Sequence, residues 1–438
     1  MKLSRIGRVS MALVVSVAMG LGMTACGGGT IGFMWVLGTQ YNQIAAFKID
    51  DFTGNLTTPP GSPFGSGGIN PVSLVVKPGG RFLYVINKGT GLGPDGNGGA
   101  TCQGGAGGGI ISEFSVGGQG VLTFQQNFTS QGCVPVWAAH DSTGNFLYVL
   151  DQYAPNTACL PNGQPEPPTP QRPTPLACSG EITVFSIDPN TGRLSLVQNQ
   201  QIKEPPPSQV QLTYFPVGPL PRMMATSGGC VFTLNSDQNQ TVFPYIAGSN
   251  GQLTLTTNSV INSGAVRATS IIAGGTSIYI TDAGPANQNS PGQILPFTVG
   301  GTACSLNTIT GGPTANLAPA SNPVYTLVDS KGKYLYVANQ FSTNSTTPNS
   351  SISAFIIQSN GTLQFVPDAP NNPYPIGAGP VCMVEDPSNQ YIYTSNGDGT
   401  VTGKVLDNNS GKLANLSRGS TFTTVGQGTC LAVSGNVD

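Results

Sequence analysis

One segment of this chain is written several times over, and that repetition limits the possible folds more than any other feature. Pro71 to Asn87 runs from an apolar stretch through Pro78-Gly79-Gly80 into Phe82-Leu83-Tyr84-Val85-Ile86-Asn87. Pro323 to Asn339 keeps the same register, with Ser330-Lys331-Gly332 as its turn and Tyr334-Leu335-Tyr336-Val337-Ala338-Asn339 as its second half. Pro135 to Asp151 and Pro380 to Asn396 are further copies, and weaker ones surround Arg222 to Asn235 and Arg267 to Asp282. Each copy predicts an apolar strand, a tight turn and an aromatic-rich strand.

A third and a fourth strand follow each pair, as in Ile110 to Val116 with Val121 to Phe124, Ile182 to Ile187 with Leu194 to Val197, and Ile352 to Ile357 with Leu363 to Val366. The segments joining them, Gly117-Gly118-Gln119-Gly120, Asp188-Pro189-Asn190-Thr191-Gly192 and Asn360-Gly361, hold residues that tolerate the positive φ of hairpin turns. Four antiparallel strands per repeat describe a propeller blade. Six units are complete; the seventh begins with Phe33 to Gly38, Ile44 to Ile49 and a short strand near Leu56, and lacks an inner strand. Gly428 to Val433, at the other end of the chain, supplies it and removes an exposed sheet edge. The expected fold is therefore all-β: a seven-bladed β-propeller of four-stranded antiparallel blades, closed by the C-terminal strand pairing with the N-terminal blade. A pair of β-sandwiches, the alternative, lacks a linker and leaves the split unit unexplained.

Composition agrees. Charged residues make up 8% of the chain, and Gly (60) and Pro (36) are abundant, as strands joined by many turns require. The formal charge is −2 with no basic patch, which argues against nucleic acid as a partner. A monomer is expected.

The N-terminus carries Lys2, Arg5 and Arg8, an apolar run from Val9 to Met19, and then Met23-Thr24-Ala25-Cys26 followed by Gly27-Gly28-Gly29. This resembles a bacterial lipoprotein signal, with Met23 where Leu is usual. The resemblance implies a signal peptide at 1–25, a tether at 26–32 that begins with an acylated Cys26, and the propeller at 33–438. It further implies export and a lipid anchor in the cell envelope, on the periplasmic or cell-surface side. Gly27 in place of an acidic residue points by the same resemblance to the outer membrane. An uncleaved anchor, or an ordinary signal peptide with an incidental Cys26, is the other reading. No later segment is a long enough apolar run to span a membrane.

Of the nine cysteines, Cys26 aside, an even set remains, which in an exported chain points to disulfides. Cys159 and Cys178 share one insertion. Cys102 lies in the loop that precedes the strand opened by Cys133, and Cys382 and Cys430 occupy equivalent places on inner strands of neighbouring blades. Cys230 with Cys304 follows by exclusion. With no CxxC spacing and a single histidine, neither a metal nor a cofactor is expected.

The repeat also sorts the loops. Nearly all turns between the first and second strands, and between the third and fourth, are short, whereas the long insertions, at 88–109, 153–180, 282–292, 340–350 and 203–220, all leave the opposite face. They are either surface decoration or the place where function is carried.

The units ending in Asn87, Asn339 and Tyr391-Ile392-Tyr393-Thr394-Ser395-Asn396 resemble those of the lactonase-type seven-bladed propellers, a group that includes bacterial 6-phosphogluconolactonase and a muconate cycloisomerase and is related to surface propellers with Tyr-Val-Thr-Asn repeats. The resemblance covers about residues 33–438. It implies a site at the axial mouth built from inner-strand Pro-Arg-His segments with a glutamate. The matching segments here are Pro71-Val72-Ser73, Pro135-Val136-Trp137, Pro221-Arg222-Met223, Pro323-Val324-Tyr325 and Pro380-Val381-Cys382. Only Arg222 supplies the arginine, Arg267 is close in register, and no segment supplies the histidine.

Lactone opening needs a base for water and donors for the oxyanion, and no base stands out. His140, the lone histidine, falls at the far end of its strand beside the Asp141-Ser142-Thr143-Gly144 turn and reads as a turn residue. Glu113, Glu181 and Glu385 read as solvated blade edges, and Asp398 as part of the Asn396-Gly397-Asp398-Gly399 hairpin. Ser73, Trp137, Met223 and Tyr325, with Arg222 and Arg267, either line the axial mouth as a ligand site or simply pack the axis. Two functions stay open: a non-catalytic envelope module that binds a protein, glycan or small molecule through its loop-bearing face, and a lactonase-type hydrolase or isomerase.

Overall fold

The computed structural model describes residues 29–435, apart from 95–99, 104–105, 161–163, 166, 168–176, 205–206, 208, 257–259, 286–291, 310, 313, 316–320 and 343–349. The expected signal segment and Cys26 lie outside the described residues. The strands form seven small antiparallel sheets, each ordered from axis to rim, and one further hairpin, Gly93–Pro94 with Ala100–Thr101, lies within a loop. In six of the sheets the outermost strand is broken, and its second piece returns to pair with the third strand. Helix is confined to three short 3-10 turns among the described residues.

The sheets are the blades of a seven-bladed propeller, numbered here from the split one. Their inner strands are Gly428–Gly435, Pro71–Val76, Cys133–His140, Pro221–Ser227, Ala268–Gly274, Ser321–Val328 and Pro380–Glu385. Each packs against its two neighbours around the ring. Blade 1 closes as the sequence predicts: Gly428–Gly435 runs antiparallel to Thr30–Gly38, with Trp35 opposite Ala432 and Val36 opposite Leu431.

Second strands are covered by adjacent blades on both faces, which is why they read as unbroken buried runs: Phe82–Asn87, Cys230–Asn235, Ser277–Asp282 and Tyr391–Asn396 have no exposed residue. The outermost strands are mostly exposed, with a buried or half-buried residue at the start, as in Leu122–Phe128 and Leu194–Val197.

The repeated tyrosine and asparagine have separate duties. Tyr84, Tyr279, Tyr336 and Tyr393 each donate a phenolic hydrogen bond to a main-chain carbonyl in the outer turn of the next blade: Gly192 (2.6 Å), Gly361 (3.1 Å), Gly411 (3.1 Å) and Gly54 (2.6 Å). Trp35 does the same from blade 1, Nε1 to Gly120 O at 3.0 Å. Each bond contributes about 1 kcal/mol and pairs the buried phenol or indole that donates it. The turns can come this close only because glycine is there. Gly54 has φ +66°, and a Cβ on it would fall 2.4 Å from the Tyr391 ring. The asparagines pin strands within a blade, as in Asn87 Nδ2 to Ser112 Oγ (3.0 Å), Asn339 Nδ2 to Ser353 Oγ (3.0 Å) and Asn396 Nδ2 to Thr402 Oγ1 (3.0 Å).

The eight described cysteines form Cys102–Cys133, Cys159–Cys178, Cys230–Cys304 and Cys382–Cys430. Cys382–Cys430 joins the inner strands of blades 7 and 1 at the point of closure, and Cys230–Cys304 joins a turn of blade 4 to one of blade 5. On the loop-bearing face the insertions of blades 2 and 3 are knit together. Cys102 N donates to Thr157 O (3.3 Å), Asn156 N donates to Cys102 O (2.6 Å), and Cys102, Ala154, Thr157 and Ala158 are buried. The described parts of these two loops form a packed layer.

Candidate functional site

All of the leading-proline strands break register at the same place. The pairing jumps between Pro71 and Ser73, Pro135 and Trp137, Pro221 and Met223, Pro323 and Tyr325, and Pro380 and Cys382. Ala268 and Ser270 jump likewise in blade 5. Such a bulge re-aims the side chain that follows the first residue. In blade 1 Thr429 Oγ1 therefore donates to Pro71 O of blade 2 (3.0 Å), and in blade 4 Arg222 Nη1 donates to Ala268 O of blade 5 (2.5 Å).

Arg222 sits at the loop-bearing end of the axis, open to solvent along one flank and surrounded by protein on the others. Burial, and then the charge of nearby Arg267, makes its guanidinium easier to deprotonate than usual. Arg267 is half-buried and held in place: Nε donates to Gly284 O (3.1 Å) and Nη2 to Asn322 Oδ1 (2.8 Å). Asn322 is in turn oriented by Gln340, Nδ2 to Oε1 at 2.9 Å. Among the described residues neither arginine makes an ion pair with a carboxylate. Two neighbouring guanidiniums, fixed by carbonyls and amides across blades 4 to 6, make a concentrated positive spot on an otherwise weakly charged protein.

The other expected mouth residues are placed differently. Ser73 (1% exposed) and Met223 (4%) are buried between blades. Trp137 of blade 3 and Tyr325 of blade 6 are half-buried and meet across the axis, with ring centroids 6.3 Å apart and planes tilted by 42°. Both pack against core clusters drawn from several blades. They span the axis below the arginines, and the open cavity lies beyond them on the short-turn side.

The glutamates depart from the sequence expectation of solvated edges. Glu113 and Glu181 are fully buried, and Glu385 is half-buried on the axial cavity. A third strand of a blade has neighbours over both faces, so alternation along it has no wet side. Burial raises the Glu113 carboxyl above its ordinary value while Gln126 Nε2, at 3.0 Å, partly compensates. Glu181 lies opposite Asp151 in the register of blade 3, and both are inaccessible to solvent. Burial raises both, and the negative charge of Asp151 raises Glu181 further. Glu181 Oε1 accepts from Gly132 N (2.7 Å) and Thr183 Oγ1 (2.7 Å), and Asp151 Oδ1 accepts from Ser130 Oγ (2.6 Å). Among the described residues Asp151 Oδ2 and Glu181 Oε2 have no other partner, an arrangement that one proton shared between the two carboxyls would satisfy. Gly132 has no room for a Cβ, which would fall 2.8 Å from Glu181 Oε1.

His140 points Nδ1 at Asp141 O (2.7 Å) and lines the same axial cavity as Glu385. Asp398 is a turn residue, bonded to Thr400 N (3.0 Å) and Ala378 N (2.9 Å). Sequence reasoning passed over Asn322 and Gln340, which fix Arg267; both flank the second copy of the repeat, and only the fold brings them to the arginines. Among the described residues no cluster of His, Cys, Asp and Glu could hold a metal ion.

No family model matches the chain, and no curated protein matches it. Solved structures do. A candidate 6-phosphogluconolactonase of Bacteroides fragilis superposes with TM-score 0.63 at 16% identity, over 92% of this chain and 98% of that one. A candidate 6-phosphogluconolactonase of Bacteroides uniformis gives 0.62 at 15% identity over 93% and 100%. A Lactobacillus plantarum protein gives 0.62 at 16% identity over 93% and 100%. At such identities the likeness is one of fold.

Proposed function

We propose that the chain is a cell-envelope propeller that binds a small phosphorylated or carboxylated ligand at the axial mouth of its loop-bearing face. The observation that carries this reading is the pair Arg222 and Arg267, adjacent and without a carboxylate partner among the described residues. Planar guanidiniums recognise phosphate and carboxylate through paired hydrogen bonds, and positive charges held together by main-chain carbonyls are stabilised by an anion between them. Titration of the purified chain with 6-phosphogluconate, gluconate and glucose should give affinities falling in that order. Arg222→Ala and Arg267→Ala should each weaken 6-phosphogluconate binding by about tenfold or more. Equal binding of glucose and 6-phosphogluconate, or no effect of either substitution, would remove the proposal.

Lactone hydrolysis is the second reading, and it is supported by the fold shared with the Bacteroides proteins. Among the described residues no accessible base stands beside the arginines. Turnover of a sugar lactone by the purified chain, abolished by Arg222→Ala, would establish it in place of simple binding.

Envelope location belongs to the same proposal. Four disulfides suit an oxidising compartment, and no helix among the described residues is long and apolar enough to cross a membrane. Residues 1–25 then serve as the export signal and Cys26 as the acylated residue. Cells fed labelled palmitate should label the wild-type chain and not Cys26→Ser, which should leave the membrane fraction. Equal labelling of the two would sink the anchor.

A further inference from the structure

On the short-turn side of Trp137 and Tyr325 the axis widens into a cavity of about 520 Å3. Its wall is apolar, with Leu74, Met224, Ile272, Leu327, Met383 and Leu431 contributed by six different blades. That volume is within the range of small-molecule sites, which pair apolar walls with a few placed polar groups.

The polar groups stand at two heights. On the floor, Trp137 Nε1 and Tyr325 Oη have no hydrogen-bond partner among the described residues. The blade-to-blade tyrosines described above and Trp35 each have one, whereas these two donors, like Tyr148 Oη of blade 3, are left to bond to something else. Near the opening, Glu385 is held by Ser330, whose N lies 2.5 Å from Oε2 and whose Oγ lies 3.3 Å from Oε1, and by the Asn389 amide. Burial, followed by the charges of Asp329 and Asp386, pushes the Glu385 carboxyl up to about 7. His140, which also lines the cavity, is engaged through Nδ1 with the Asp141 carbonyl. Among the described residues no lysine or arginine lines the cavity.

We propose that this cavity is a second ligand site, separate from the arginine mouth, and that it takes a small amphipathic amine. The ammonium meets Glu385, the aromatic or branched body lies against Trp137 and Tyr325, and an oxygen at the far end accepts from the two floor donors. A carboxylate ligand is repelled by Glu385, with the buried Asp329 and Asp386 behind it adding to the negative charge. A neutral ligand of the same shape leaves Glu385 uncompensated.

The test is calorimetric titration of the purified chain with tyramine, its neutral isostere 4-ethylphenol and the acid 3-(4-hydroxyphenyl)propionate. Tyramine should bind about tenfold or more tightly than either, as a hydrogen bond to a charged group predicts. Glu385→Gln, which keeps the Ser330 contacts, should abolish that preference while leaving 4-ethylphenol unchanged. Trp137→Phe should remove the advantage of tyramine over phenethylamine, which lacks the far oxygen. Comparable binding of tyramine, 4-ethylphenol and the acid, no heat with tyramine, or a preference that survives Glu385→Gln would each overturn the proposal.

Discussion

Deleting residues 428–438 is expected to abolish the folded state rather than trim it. The strand Gly428–Gly435 pairs along Thr30–Gly38 and packs on Pro71–Val76 and on Pro380–Glu385. Its loss uncovers one edge of the strand that carries Trp35, Val36 and Leu37, all fully buried in the intact ring. Each such side chain left wet costs about 1.5–3 kcal/mol, and a whole domain has only about 5–15 kcal/mol in reserve. The unpaired edge also invites association with other chains. Thermal unfolding followed by circular dichroism should show no cooperative transition for the truncated chain. The double variant Cys382→Ser, Cys430→Ser keeps the strand and loses only the cross-link, so it should unfold cooperatively with about 4 kcal/mol less stability. A truncated chain that melts like the full one would show that the ring does not depend on its closure.

Glu181→Gln should stabilise the protein at neutral and alkaline pH, with a gain that grows as pH rises. Asp151 and Glu181 both titrate above their unfolded values because burial disfavours the charged forms. Their contribution to stability is therefore complete below the ordinary carboxylate range and is lost as pH climbs through the raised folded-state values. An amide at position 181 still accepts from Gly132 N and Thr183 Oγ1, and its NH2 replaces the shared proton toward Asp151. Since Gln cannot ionise, the second negative charge never forms, and the benefit at about pH 8 should be on the order of 3 kcal/mol.

Asp141 and Asp282 act in the opposite direction. Their hydrogen bonds outweigh burial and lower them, so what they contribute is lost as pH falls. The informative quantity is thus the difference between variant and wild type in urea unfolding at about pH 5 and about pH 8. A variant less stable by the same amount at both values would mean that the pair does not share a proton.

The ring was legible because proline, turn, tyrosine and asparagine recur in one register, and because the first and last units are halves of one. What the tyrosines hold was not legible. Their partners, such as Gly54 O and Gly192 O, are main-chain carbonyls with no residue signature of their own beyond a turn glycine. Asp151 and Glu181 did leave a trace: an acid stands at 151 where neighbouring copies end in Asn87, Asn339 and Asn396, and a second acid faces it. Reading Glu181 as an edge residue missed it, because period-two alternation reports a wet face only when one exists. Arg222 was visible as the single arginine among the leading-proline segments, whereas its company with Arg267 and Asn322 depends on how blades 4 to 6 meet at the axis. The side on which the axis opens depends on the bulk and direction of Trp137 and Tyr325, which no local pattern encodes.

Those two rings have one more consequence. Because Trp137 of blade 3 and Tyr325 of blade 6 meet with ring centroids 6.3 Å apart and line the cavity, a ligand entering from the short-turn side reaches these rings before it reaches the arginines. The two ends of the axis therefore differ in character, one presenting fixed positive charge and the other apolar walls beside a single glutamate.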